Sequence, residues 1–160
     1  MSKISIIMGS QSDLETVQAG IDILKEFKAN FSVKVLSAHR TPKELAKYVE
    51  DSTQKGTKVF IAAAGGAAAL AGVVAAHTAL PVIGIPIQTK SLKGLDSLLS
   101  TVQMPAGIPV GCMAIGSAGA KNAALFALEI LGTFDKKIQK RLIAYKKTMR
   151  SKILKIKLKV

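Results

Sequence analysis

His39 and Arg40 stand side by side in the hexamer SAHRTP, Ser37 to Pro42, between the apolar run FSVKVL and a proline. An imidazole titrates near neutrality and so can both give and take a proton within one turnover. A guanidinium is a fixed cation that grips phosphate in a fork. Read alone, the segment serves equally as a polar strand end. Two other short stretches add to it. GSQSD, Gly9 to Asp13, offers a glycine for a sharp turn, the hydroxyls of Ser10 and Ser12, and the Asp13 carboxylate for a sugar hydroxyl; the same serine or aspartate also fits a plain helix N-cap. AGGAAA, Ala64 to Ala69, places Gly65 and Gly66 where backbone N–H groups can approach a ligand unobstructed, or where a helix entry needs small residues. No Walker A or GxGxxG pattern is present, which removes support for ATP and dinucleotides.

The elements around these stretches repeat one unit. KISIIMGS is a β-branched run ending in glycine, and Leu14, Val17, Ile21 and Leu24 follow at helical spacing. FSVKVLS alternates as a strand, and Thr41, Pro42 and Glu44 supply an N-cap, a first-turn proline and a capping-box acid for a helix that Gly56 ends. TKVFIAAAGG and LAGVVAAHTA form a third unit, with His77 a packing or surface residue. PVIGIPI and VGCMAIG read as buried strands, LDSLLSTVQ as a short helix, and AGAKNAALFALEIL as a helix stopped by Gly132. Five strands alternating with helices predict an α/β fold with a mostly parallel sheet. In such a sheet ligands bind at the carboxyl ends of the strands, and all three stretches fall at that edge, each before an electropositive helix start. A small phosphorylated substrate needing proton transfer and no metal is the expectation.

Bulk composition narrows the classes further. The 160 residues, 49% hydrophobic and 21% charged, suit a single domain over residues 1–160. One cysteine, Cys112, cannot form an internal disulfide and reads as a small buried hydrophobe. An intracellular, cytoplasmic, metal-free protein is expected. The opening MSKISIIMGS is too short and too interrupted for an export signal. Residues 59–76 carry no charge, but twelve of the eighteen are Ala or Gly and Gly65-Gly66 splits them, so strand, loop and helix are expected there and no membrane span. The net charge of +13 is concentrated: residues 134–160 hold eleven Lys/Arg against one acid, and residues 1–133 hold twelve against nine. Residues 134–160 form a basic C-terminal helical extension striped by Ile138, Leu142, Tyr145, Met149, Ile153 and Ile156, expected to dock on its own domain or a neighbouring subunit, with IKLKV outside the helix. Neither nucleic acid nor membrane is expected as a partner.

MGSQSD, SAHRTP, AGGAAA, GIPIQTKSLKGLDSLLSTVQMPAGIPVG and AIGSAGAKNAALFALEIL resemble, in order and spacing, the 5-(carboxyamino)imidazole ribonucleotide mutases of bacterial purine biosynthesis, from about Ile4 to Gly132. The resemblance implies a flavodoxin-like three-layer α/β/α sandwich with a parallel five-stranded sheet, assembled as a homo-octamer with sites near subunit boundaries. It implies transfer of a carboxylate from the exocyclic nitrogen of the ribonucleotide to ring carbon 4, without ATP, biotin, metal or other cofactor. Carried over by motif, His39 is the proton shuttle, and Ser10, Ser12, Asp13, Ser37 and Arg40 hold the phosphoribosyl part. The backbone of Ala64, Gly65 and Gly66 holds released CO2. Where the family pattern reads GGAAHLPG, this chain reads GGAAALAG, with Ala69 and Ala71 in the places of His and Pro.

Three other readings remain open from sequence. One is a carboxylase that joins free CO2 to aminoimidazole ribonucleotide, against which the VQMPAGIPVG segment favours the mutase. Another is a non-catalytic nucleotide-binding module, against which intact His39 and Arg40 argue. The third is a nucleic-acid or membrane protein built on the basic tail, which predicts salt-dependent binding lost on deleting residues 134–160.

Overall fold

The computed structural model describes residues 3–158. The chain divides after Ala127 into two compact units. In the first, the strands β1 (Ile4–Met8), β2 (Phe31–Val35), β3 (Val59–Ala64), β4 (Val82–Pro86) and β5 (Gly111–Cys112) make one sheet in the order β2-β1-β3-β4-β5, every pair parallel. The helices α1 (Leu14–Glu26), α2 (Pro42–Gln54), α3 (Leu70–Ala76), α4 (Leu95–Val102) and α5 (Ser117–Gly132) follow the strands in turn, α5 crossing the division between the units.

Because side chains alternate along a strand, the two faces of the sheet take different neighbours. Ile7, Phe60, Ala62 and Val82 pack with Leu45 and Val49 of α2 and Leu70, Ala71, Val74 and Ala75 of α3. α4 lies on this face too, where a Cβ added at Gly84 would strike the Thr101 methyl and sit 3.4 Å from the Ala71 methyl. α1 meets the first part of α5 so closely that a Cβ at Gly20 would lie 2.5 Å from the Ala120 carbonyl oxygen. These layers make the flavodoxin-like α/β/α sandwich. β1, β3 and β4 are buried along nearly their whole length, as near-continuous apolar strands of a parallel sheet must be.

Several local expectations are corrected. VGCMAIG yields only a two-residue, half-buried strand, because after Cys112 the chain keeps just isolated bonds to β4, from Met113 N to Gly84 O and from Gly116 N to Pro86 O. Cys112 is accordingly half-buried, with burial pushing its thiol up and away from thiolate. Thr41 is the N-cap of α2 but makes no side-chain cap bond, because its hydroxyl reaches back to Ser37; the capping box with Glu44 does not form. His77 ends α3, its Nδ1 3.5 Å from Glu50 Oε1 on the surface. Among the described residues no helix is long and apolar enough to cross a membrane.

In the second unit the end of α5 turns into α6 (Lys136–Leu154). Asp135 caps α6 by accepting from the N–H groups of Lys137 and Ile138 at 2.8 and 3.3 Å. Lys146 pairs with Glu129 at 2.7 Å, and Leu142 comes within 3.3 Å of a Cβ placed at Gly132. Of the apolar stripe, Leu142 is buried, whereas Met149, Ile153 and Ile156 are exposed. Of the IKLKV run, residues 156–158 lie beyond the helix and 159–160 outside the described residues.

Gly20→Ala tests the close contact of α1 with α5. Helix propensity alone gains about 1 kcal/mol, but overpacking against a backbone carbonyl costs about 1–3 kcal/mol. A net loss of stability is expected in urea titration, and a gain would show that this approach is loose.

Candidate active site

β1 lies between β2 and β3, so the loops that follow these three strands emerge side by side. After β1, Gly9 N donates to Ala63 O at 3.0 Å and the chain enters a 3₁₀ turn, Gln11–Asp13, leading into α1. Ser10 caps that turn, its hydroxyl accepting from Ser12 N while its own N–H donates to Asp13 Oδ2 at 3.0 Å. Ser10 thus caps the 3₁₀ turn, with Asp13 as its capping-box acid, and Asp13 is in turn the N-cap residue of α1, although its side chain makes no cap bond to that helix. Gly9 has no left-handed backbone, and a Cβ there would meet only ordinary contacts, so the turn does not demand glycine as its sequence suggested.

After β2, Leu36 N reaches Met8 O at 2.9 Å and Ser37 to Thr41 close a tight turn. Thr41 Oγ1 accepts from Ser37 N at 2.9 Å and donates to Ser37 O at 3.1 Å. The Ser37 hydroxyl in turn accepts from the Arg40 backbone N–H and, at 3.4 Å, from Arg40 Nε. Arg40 Nη2 donates to Gly9 O at 2.9 Å, which ties the second loop to the first. This leaves the other guanidinium N–H groups for an anion. His39 is exposed at the rim, and among the described residues no hydrogen bond to its ring is found.

After β3, Ala64 O accepts from Ile87 N at 2.9 Å, and Gly66 takes φ +70°, a left-handed conformation that glycine adopts without cost. Its N–H donates to Ser97 Oγ, away from the other two loops.

The three loops wall one cavity of about 330 Å³. Ser10, Asp13, Ser37, His39, Arg40, Ala64 and Gly65 line it, as do Gly9, Ala38, Ala68, Ala69 and Leu70. Ser12 and Gly66 do not. Ser12 donates its hydroxyl to Ser10 Oγ at 2.9 Å and so acts on the cavity through Ser10. Among the described residues His39 is the one imidazole on this wall, since Ala69 occupies a place where the family pattern carries a second. Sequence reasoning missed the Gly9 carbonyl as an anchor for Arg40; neither composition nor motif marks a backbone acceptor.

Asp13 is buried at the base of this arrangement, 7% exposed. Burial pushes its carboxyl above the usual carboxylate range; the Ser10 N–H, the Ser12 hydroxyl, the Arg40 charge and the Gly9 N–H pull the other way and offset it only in part. A carboxylate desolvated beside a cavity, with an arginine nearby, makes Asp13 a candidate ligand-contacting group.

A parallel α/β/α sandwich whose cavity joins a histidine, an arginine and a buried carboxylate at the carboxyl edge defines a small-molecule site of the flavodoxin-like class. The family model described as AIR carboxylase matches residues 3–152, and the chain belongs to that family. It is 51% identical over 152 residues to the N5-carboxyaminoimidazole ribonucleotide mutase of Vibrio parahaemolyticus, covering 95% of this chain and 94% of the relative. It is 48% identical to the mutase of Saccharolobus solfataricus over 158 residues, 99% of each. The crystal structure of Treponema denticola PurE superposes with a TM-score of 0.86 at 28% identity, covering 94% of this chain and 93% of that one. The basic C-terminal segment, which the sequence resemblance up to Gly132 left unexplained, thus falls largely within the family's length.

The raised Asp13 value has a testable sign. The folded protein holds this proton more tightly than the unfolded chain, so the carboxyl's contribution to stability falls as pH rises from below the ordinary carboxylate value through the raised one. Asp13→Asn lacks that penalty. Its stability relative to the parent should therefore improve between about pH 3 and about pH 7, read from denaturant midpoints across that range; a difference that does not change with pH would contradict the shift.

Proposed function

We propose that the chain is a 5-(carboxyamino)imidazole ribonucleotide mutase of purine biosynthesis, an isomerase that moves the carboxylate from the exocyclic nitrogen to ring carbon 4. The observation that carries this reading is the single cavity on which His39, Arg40 and Asp13 converge, in a chain about half identical to named mutases over nearly its full length.

The chemistry follows from two opposite proton movements. Loss of CO2 from the carbamate needs a proton delivered to the departing nitrogen, giving aminoimidazole ribonucleotide. Bond formation between CO2 and carbon 4 then releases a proton from that carbon. One imidazole within reach of both atoms serves as acid in the first step and base in the second, so no net proton is consumed. His39 has that place. Arg40, already braced by Gly9 O and Ser37 Oγ, presents its remaining N–H groups to the phosphate, with Ser10 and Ser37 as further donors and Ser12 supporting Ser10. Asp13 takes the ribose hydroxyls. Ala64 and Gly65 form the backbone wall against CO2, with Gly66 shaping the turn behind them. Holding CO2 beside carbon 4 supplies the effective concentration that dissolved CO2 lacks.

A homo-octamer in the cytoplasm is part of the same proposal. What supports assembly is an uncovered apolar face on α4, where Leu95, Leu99 and Val102, with Leu92 just before the helix, are each about half exposed. The exposed part of the α6 stripe offers the basic extension a similar role.

Purified protein mixed with 5-(carboxyamino)imidazole ribonucleotide, without ATP or added bicarbonate, should form the 4-carboxy product, followed by absorbance. Turnover of aminoimidazole ribonucleotide in bicarbonate with none of the carbamate would assign the carboxylase instead, and binding without either reaction the non-catalytic module. His39→Asn should abolish turnover and keep nucleotide binding by calorimetry; retained turnover would remove the shuttle role. Arg40→Ala should weaken nucleotide binding by about 10–100-fold, as loss of a charge-assisted phosphate contact does, and an unchanged Kd would overturn phosphate anchoring.

A further inference from the structure

We infer that Ser97 is a positioning residue of this site, its buried hydroxyl standing in for the last rung of the β3–β4 ladder and so setting the course of the loop that walls the cavity. Parallel pairing of Ala64 with Pro86 continues one step past the strands, where Ile87 N donates to Ala64 O at 2.9 Å. In a regular parallel ladder the next bond would run from Gly66 N–H to Ile87 O. Here a side chain stands between those two groups. Ser97 Oγ accepts from Gly66 N at 3.0 Å and donates to Ile87 O at 2.7 Å. The two chains are thereby held apart by one hydroxyl where they leave the sheet, and Gly66 turns off at φ +70°.

α4 holds the other side of the same residue. Ser100, one turn after Ser97, donates to Gly66 O at 3.3 Å, so both backbone polar groups of Gly66 are fastened to one helix. Ser97 is itself fully buried, and its carbonyl accepts from the buried Thr101 hydroxyl at 2.8 Å. Ser97 does not line the cavity. It acts through the loop that carries Gly65, Ala68 and Ala69 onto the cavity wall. Without the hydroxyl, Gly66 N–H loses its hydrogen-bond acceptor and the loop loses its link to Ile87 O.

The consequence for catalysis rests on the mutase reading, in which this wall retains CO2. Ser97→Ala should lower kcat by about tenfold or more with KM within about twofold, since a small misplacement costs rate more than binding. It should also raise the share of turnovers that end as free CO2 and aminoimidazole ribonucleotide. Ser97→Thr, which keeps the hydroxyl, should recover most of the rate, and the exposed Ser100→Ala should move both readouts less, in the same direction. Independently of any activity, hydrogen exchange of the Gly66 amide should be slow in the parent and fast in Ser97→Ala. An unchanged exchange rate overturns the inference even if the parent proves inactive on this substrate. Parent-like kcat and CO2 release in Ser97→Ala, or equal losses in the alanine and threonine variants, would overturn it where the parent is active.

Discussion

Parallel pairing of β1 with both β2 and β3 is the constraint on which the cavity depends. Parallel strands deliver all their carboxyl ends to one edge, and the central place of β1 sets the three following loops next to each other. Residues 9–13, 37–42 and 64–69, far apart in the chain, meet for this reason alone. Register sharpens the meeting: Met8 is level with Val35 on one side and Ala63 on the other, so the three loops begin at nearly one height.

Given that meeting, the loops stabilise one another through polar contacts that exist only between them or within tight turns. Arg40 spans from its own turn to the Gly9 carbonyl, and Gly9 N–H reaches Ala63 O. The Ser37 hydroxyl accepts from Arg40 and the Thr41 hydroxyl closes the turn, so both are used locally. Asp13 is the costly member, a carboxyl whose burial outweighs the donors around it. Desolvating that carboxyl is a cost to stability above its ordinary titration range, the kind of expense that functional sites commonly carry.

α4 works on both of its sides. Its buried side carries Ser97 and Thr101 and fixes the loop after β3; its exposed side carries Leu95, Leu99 and Val102. One helix thus holds the cavity wall from one face and carries an apolar surface on the other.

The sequence by itself determined the order of strands and helices, the parallel class of the sheet and the edge at which chemistry would lie. Apolar runs and glycine breaks are local signals, and the βα repeat leaves few topologies. It also singled out His39 and Arg40, because their types carry chemistry whatever surrounds them. It did not disclose that Thr41 would abandon its capping box for Ser37, that VGCMAIG would pair over only two residues, that Ser12 and Gly66 would not line the cavity, or that Ser97 would complete a rung between two strands. Each of those is a choice of hydrogen-bond partner made by groups distant in the chain or free to turn either way. Only packing in three dimensions decides which partner lies within reach.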